Sequence, residues 1–450
     1  MNLKEINSIY FLGIGGIGMS ALARYFLWVG KKVSGYDKTS TQLTQELEKE
    51  GIDIHYEDNP LLIAKEVDLI IYTPAIPATD KEFVFLKNSG KPMLKRAEVL
   101  GLISREVPTI AIAGTHGKTT ITTMIAHIMH TAGVECSAFM GGISTNLNSN
   151  FLASENPSWI VAEADEYDRS FLHLHPEIAL ISSMDADHLD VYSSLNNMED
   201  SFIQFVKKLR TGGALLVHNS LSNLSGLQQN SYTYGLNPPA SFVATDIMMK
   251  DGKFSWNLLS DSVTTAMSLA MPGKHNLENA LAAVGVCLLA GVNVEHIKNG
   301  LLTYKGVKRR FEVLVNNSRK VYIDDYAHHP KELKACINSA RGMFPQKKIT
   351  GIFQPHLFTR TRDFAEGFAQ ALELLDQAAV MDIYPARERP IEGINAWYIL
   401  DKMKHENKKY LSDTEVLDFV KEDTSEVLLT MGAGNIDRFV DPIKKIVELC

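Results

Sequence analysis

Lys118 sits where a lysine can hold phosphates. It belongs to Gly114-Thr115-His116-Gly117-Lys118-Thr119-Thr120, directly after the apolar run Pro108-Thr-Ile-Ala-Ile-Ala113. Directly after it, Ile121, Met124, Ile125, Ile128 and Met129 recur at the spacing of a helical face. A strand, a glycine-bounded turn and a helix together aim backbone N–H groups and a helix N-terminus at phosphate oxygens. Lys118 adds a point charge for the terminal phosphates of a nucleotide, and the Thr119 hydroxyl suits Mg2+. The strict spacing G-x-x-x-x-G-K-[ST] is not met, because its first glycine falls on Ile112. A helix start with a chance Gly-Lys-Thr is the competing reading, and the flanking strand and helix weigh against it.

Phosphoryl transfer also needs oxygen ligands for a metal beside the phosphates. Glu163 ends the apolar run Trp159-Ile-Val-Ala162, and the run Ala179-Leu-Ile-Ser182 leads into Asp185-Ala-Asp187-His188-Leu-Asp190. The C-terminal ends of parallel strands line a common crevice, so both groups would reach the edge that carries the phosphate loop. Taken singly, each is equally an N-cap or a solvated turn. Further on, Pro272-Gly-Lys-His275-Asn276-Leu-Glu-Asn279 opens an alanine-rich helix, with Asn276 also readable as its cap. Lys308-Arg309-Arg310 is either a solvated charge run or an arginine that reaches a γ-phosphate at a domain joint.

A second glycine cluster, Gly13-Ile-Gly15-Gly16-Ile-Gly18, follows the short apolar run Ser8-Ile-Tyr-Phe-Leu12 and fits G-x-G-x-x-G. Asp37, at the end of Lys32-Val-Ser-Gly-Tyr, stands where a ribose-binding acid belongs in a dinucleotide fold. The motif supports a dinucleotide site or any diphosphate held at a helix start. The separate phosphate loop downstream argues against a plain NAD oxidoreductase.

The elements that must position these groups repeat in three α/β blocks. Strand-like runs alternate with helical ones, which predicts parallel sheets. The pattern restarts near residues 106 and 311, giving domains over 1–105, 106–310 and 311–450. The segment from about 230 to 270, richer in Ser, Thr and Asn, reads as antiparallel strands. A chain of 450 residues is long enough for three cores. A net charge of −8 argues against nucleic-acid or anionic-membrane binding. Four scattered cysteines without a CxxC pair fit reduced thiols; Met1-Asn-Leu-Lys-Glu-Ile does not read as a basic region leading into an apolar one, and no long apolar span is read. These features predict a cytoplasmic protein.

Together the motifs resemble the Mur ligase superfamily over essentially the whole chain, and within it the alanine-adding members. The resemblance rests on Gly13–Ser20, Arg96-Ala-Glu98, Gly114–Thr120, Glu163-Ala-Asp-Glu-Tyr-Asp168, Asp187-His188 and His275-Asn276-x-x-Asn279. It continues through Asp324-Asp325-Tyr326-Ala-His328-His329-Pro330 and Gln354-Pro-His356-Leu-Phe-Thr-Arg360-Thr361. It implies a Rossmann-like UDP-sugar domain, a central P-loop ATPase domain and a Rossmann-like C-terminal domain that closes over the site. The implied reaction joins L-alanine to the lactyl carboxylate of UDP-N-acetylmuramate in peptidoglycan precursor synthesis, with ATP giving ADP and phosphate. It also implies two Mg2+ sites, which Mn2+ could fill, and a monomer or homodimer.

By the same resemblance, Gly114 to Thr120 cradle the phosphates, with Lys118 and Thr119 on the β- and γ-phosphates and one Mg2+. Glu163 and His188 hold the second metal. His275, Asn276 and Asn279 approach the adenine, and Arg310 with Asp325 ties ATP to the closing domain. Tyr326, His328, His356 and Arg360 surround the incoming amino acid, with Arg360 on its carboxylate. Gly15, Gly16, Gly18, Ser20, Asp37 and Thr73 fall in the UDP-sugar region. Two departures stand out. Where several members carry a modified lysine, this chain reads Ser201-Phe-Ile-Gln204, as alanine-adding members also lack it. Where the family often has Gly-His, this chain has Ile54-His55-Tyr56-Glu57. The rival readings are a ligase that recycles a tripeptide onto the same sugar nucleotide and a non-catalytic nucleotide-binding regulator.

Overall fold

The structure is a computed structural model and describes residues 1–185, 195–250, 252–260, 263–386 and 388–449. The alternating strands and helices form three sheets. The first has the order Asp53–His55, Lys32–Tyr36, Ser8–Leu12, Leu69–Tyr72, Met93–Lys95, all parallel. Strand order reverses beside Ser8–Leu12, so the glycine turn that follows it opens at the crevice where such sheets bind ligands. Helix Ile17–Trp28 starts from Gly16 and buries Met19, Ala21, Leu22, Ala23 and Phe26.

Among the described residues, the second sheet has ten strands. Its centre runs Ala214–His218, Ile178–Ile181, Thr109–Ala113, Trp159–Glu163, Cys136–Ser144, with parallel neighbours throughout. Thr109–Ala113 is buried along its whole length, as a strand covered on both faces should be. Glu163 is the last residue of its strand, and Lys118 the first of helix Lys118–Thr131. The stretch expected to be antiparallel is only partly so. Ser231–Gly235 pairs in parallel with Ala214–His218 and with Phe242–Lys250, while Lys253–Ser260 and Val263–Leu269 form the antiparallel pair. Ser231–Gly235 extends the existing parallel sheet by one more strand. Its short alternating pattern does not reveal that direction.

The third sheet runs Glu312–Asn316, Val321–Asp325, Val427–Met431, Ile349–Phe353, Gln377–Met381, Lys408–Leu411, parallel except for its first pair. The chain forms two compact units. One holds most of the chain up to Lys305, including the first two sheets, and the other holds Met249–Lys253, Met271–Leu277 and the chain from Gly306. Among the described residues no helix is long and apolar enough to cross a membrane.

Candidate active site

The phosphate loop depends on two glycines. Gly114 and Gly117 have φ of +125° and +81°, conformations that L side chains rarely adopt. A Cβ on Gly114 would lie 2.2 Å from Ser182 Oγ, and one on Gly117 would lie 2.5 Å from Asn279 Oδ1. Asn279 is thus packed directly against the loop. Ser183 fastens the turn from the neighbouring strand: its hydroxyl contacts Thr115 Oγ1 and accepts from His116 N, both at 2.9 Å. His116 Nε2 lies 3.2 Å from Asp185 Oδ2.

Lys118 donates to Gly114 O at 2.7 Å and to Glu166 Oε1 at 2.8 Å. Burial opposes its charge, but Glu166, Asp165 and Glu163 outweigh that and hold the ammonium above lysine's usual pKa. Lys118 therefore stays a cation at any working pH. Thr119 Oγ1 donates to Glu163 Oε2 at 2.9 Å. Glu163 in turn rests on Gly141, where any Cβ would fall 2.0 Å from its carboxylate oxygen. Gly141 lies in Cys136–Ser144 at a register irregularity between Phe139 and Ser144.

In the same unit, a cavity of about 210 Å3 runs from the first glycine turn to Glu163, which accepts the Thr119 hydroxyl of the phosphate loop. Gly16, Gly18, Thr73 and Arg96 line one side, and Gly141, Glu163 and Asp165 the other. Gly18 is tied to Arg96, since a Cβ there would lie 2.7 Å from Nη1. Gly15 N donates to Asp37 Oδ2 at 2.8 Å, so Asp37 holds the glycine turn in shape. Ser20, placed with the substrate groups by sequence, is fully buried away from this wall. Its hydroxyl donates to Ile17 O at 3.0 Å and accepts from Asn150 Nδ2 at 2.8 Å. Asn150 also donates to Ile17 O at 2.6 Å and accepts from Arg24, whose guanidinium pairs with Glu50 at 2.7 Å. This buried chain docks the first helix onto strand Ser149–Leu152 of the second sheet.

The second unit gathers a separate set. Asp325 ends its strand and accepts from Phe311 N and Ala327 N, both at 2.7 Å. Burial pushes its pKa up to about 7, against the pull of Arg310. The Arg310 and Arg309 guanidiniums lie 5.0 and 5.3 Å from the centre of the Tyr326 ring. His328 contacts Tyr326 O through Nδ1 at 2.9 Å, and its ring lies 6.1 Å from that of His356. Burial lowers the His328 pKa, and Arg360 adds to the shift. Arg360 sits in the first turn of helix Phe358–Leu372. Asn276 is not a cap: helix Lys274–Leu289 starts before it, and its amide donates back to Pro272 O at 2.7 Å.

Three family models match in order: the Mur ligase family catalytic domain over residues 8–107, the Mur ligase middle domain over 112–287 and the Mur ligase glutamate ligase domain over 309–434. The chain belongs to the Mur ligase family. Relatives include the UDP-N-acetylmuramate–L-alanine ligase of Cytophaga hutchinsonii, 46% identical across 100% of this chain and 98% of that one. The crystal structure of the UDP-N-acetylmuramate–alanine ligase of Thermotoga maritima superposes with a TM-score of 0.83 at 27% identity, over 97% of this chain and 99% of that one. A murein peptide ligase of Psychrobacter arcticus shares the fold, with a TM-score of 0.73 at 21% identity over 98% of each chain.

Mur ligases are ATP-dependent enzymes that form carbon–nitrogen bonds between acids and amino acids, and so is this one. Within this Mur ligase, the structure brings Gly114, Thr115, His116, Gly117, Lys118, Thr119, Glu163 and Asn279 together. Asp187, His188 and Asp190 lie outside the described residues. Among the described residues, no group of three or more His, Cys, Asp or Glu side chains is gathered as if for a metal. Sequence reasoning gave no role to Glu166, Gly141, Arg96 or Asn150. For Gly141 a signal existed, since a glycine inside a strand often marks close approach by another group.

Proposed function

We propose that this chain joins L-alanine to the lactyl carboxylate of UDP-N-acetylmuramate, with ATP giving ADP and phosphate. One observation carries the reading. The cavity that begins at the Gly16–Gly18 turn and Arg96 ends at Glu163, the residue that holds Thr119 of the phosphate loop. A sugar nucleotide held at the first motif would extend its acid toward the phosphates held at the second.

The chemistry follows from the acid. A carboxylate is anionic and lacks a leaving group, so an amine does not attack it. When its oxygen takes the γ-phosphoryl group, ADP departs and an acyl phosphate forms. The neutral amine then adds to the acyl carbon, and the tetrahedral intermediate loses a proton and expels phosphate. Lys118 and the loop N–H groups hold the phosphates through these charge shifts. Arg96, on the cavity wall, is a cation for the diphosphate or the acid. Arg310 and Asp325 are assigned to ATP, His275 and Asn276 to adenine, and Tyr326, His328, His356 and Arg360 to the amino acid.

Thr119 Oγ1 and Glu163 Oε2 are hard oxygen donors 2.9 Å apart at the helix start, which fits Mg2+. His188 joins Glu163 at a second such site in this reading. Mg2+ would supply charge neutralisation along the phosphates. The test is phosphate release from MgATP and UDP-N-acetylmuramate with L-alanine, glycine, L-serine or L-Ala-γ-D-Glu-meso-diaminopimelate. Release should depend on the free amino acid, with L-alanine preferred. Release driven by the tripeptide and not by alanine would establish the recycling activity instead.

A further inference from the structure

We propose that Glu166 is a positioning residue for Lys118, and that its charge limits how tightly the loop holds a nucleotide. The inference rests on the ATP reading above and adds a role for a carboxylate that reading does not use. Glu166 is fully buried, and both its oxygens lie 2.8 Å from Lys118 Nζ. The neighbouring carboxylates have other work. Asp165 accepts from Tyr167 N at 3.1 Å and lies 3.8 Å from Arg96 Nη2, while Glu163 accepts the Thr119 hydroxyl.

A lysine ammonium is a point charge on a flexible stem, with three donors and no fixed direction. Here Gly114 O and Glu166 take those donors from two sides, which pins the stem across the loop. Arriving β- and γ-phosphates compete with Glu166 for the same cation. Glu166 cannot withdraw into water, because it is enclosed. It must keep part of its hold on Lys118, and it repels the phosphates at close range in a region of low dielectric. The pair thus aims the lysine while weakening the grip on nucleotide, which favours release of ADP after each turnover.

The experiment is titration calorimetry of ADP with Mg2+ on the full chain, beside steady-state phosphate release. Glu166→Gln keeps the size and one acceptor but removes the charge. The ADP Kd should fall about tenfold, equivalent to about 1.4 kcal/mol, while kcat falls. Glu166→Asp keeps the charge on a shorter arm. Its ADP Kd should stay within about threefold of wild type, and its kcat should fall because Lys118 is pulled off line. A Glu166→Gln protein with wild-type circular dichroism and an unchanged or weaker ADP affinity would overturn the proposal. If Glu166→Gln does not fold, Glu166→Asp decides: a kcat unchanged from wild type would overturn it. Failure of the wild-type protein to bind ADP would instead sink the ATP reading itself.

Discussion

Gly141→Ala should separate activity from stability. The added Cβ would stand 2.0 Å from Glu163 Oε2 and 2.6 Å from its Cδ. Ordinary carbon–oxygen contact needs roughly 3.4 Å, so the carboxylate must move by about 1 Å or more. The Glu163 side chain can swing, so the fold need not yield. Its 2.9 Å contact with Thr119 would be lost. A displacement of about 1 Å at a reacting centre can cost about 100-fold in rate, or about 2.7 kcal/mol. Stability should move little or in the other direction. Gly141 is outside the left-handed region, and a glycine-to-alanine change at a compatible site stabilises by about 0.4–1 kcal/mol through the unfolded chain. Phosphate release at saturating substrates gives kcat, and thermal unfolding followed by circular dichroism gives Tm. A kcat within about threefold of wild type would mean that Glu163 is not at the reacting centre, and the placement of the chemistry would be wrong.

Arg360→Ala should raise the KM for L-alanine far more than the KM for ATP, because its assigned partner is the amino-acid carboxylate; equal effects in steady-state assays would refute the clamp. Asn150→Leu should destabilise by about 1–3 kcal/mol in denaturant unfolding, because it removes the buried acceptor of Arg24 Nη1 and the donor shared by Ile17 O and the Ser20 hydroxyl; a change below about 0.5 kcal/mol would show that the docking chain contributes little. Burial, with Arg310 nearby, lowers the pKa of His275 to about 4, so between pH 6.5 and 4 the unfolded state takes up the proton first. Stability should therefore drop as pH falls through that window. His275→Gln should lessen the drop by roughly 1–2 kcal/mol in urea unfolding at pH 7 and pH 4; parallel losses in both proteins would refute the assignment.

The local geometry of the candidate phosphate loop was legible because phosphate chemistry constrains the chain locally. Gly114, Gly117 and Lys118 lie within one turn, and Glu163 ends a strand whose apolar run marks its limit. The groups missed are those whose partners are distant in sequence. Glu166 lies 48 residues from Lys118, in a loop where an acid reads as solvated. That loop continues through Asp168 and Arg169, both at φ of 54°, a turn no periodicity announces. Asn150 is 130 residues from Ser20, and nothing in Ser149–Leu152 marks it as the docking point of another domain. Ser20 follows the first glycine motif closely enough to suggest a ligand contact, yet its helix face turns it inward. The direction of Ser231–Gly235 depended on a neighbour's register, which hydrophobic pattern alone does not encode.

In the proposed reaction, ATP activates the sugar nucleotide's carboxylate before the amine arrives. Isotope transfer tests it directly. UDP-N-acetylmuramate carrying 18O in its lactyl carboxylate would be incubated with MgATP, L-alanine and enzyme, and the released phosphate examined by 31P NMR. An acyl phosphate must leave with one carboxylate oxygen, so the phosphate should carry a single 18O. Phosphate released without the label, while the amide product accumulates, would contradict the account.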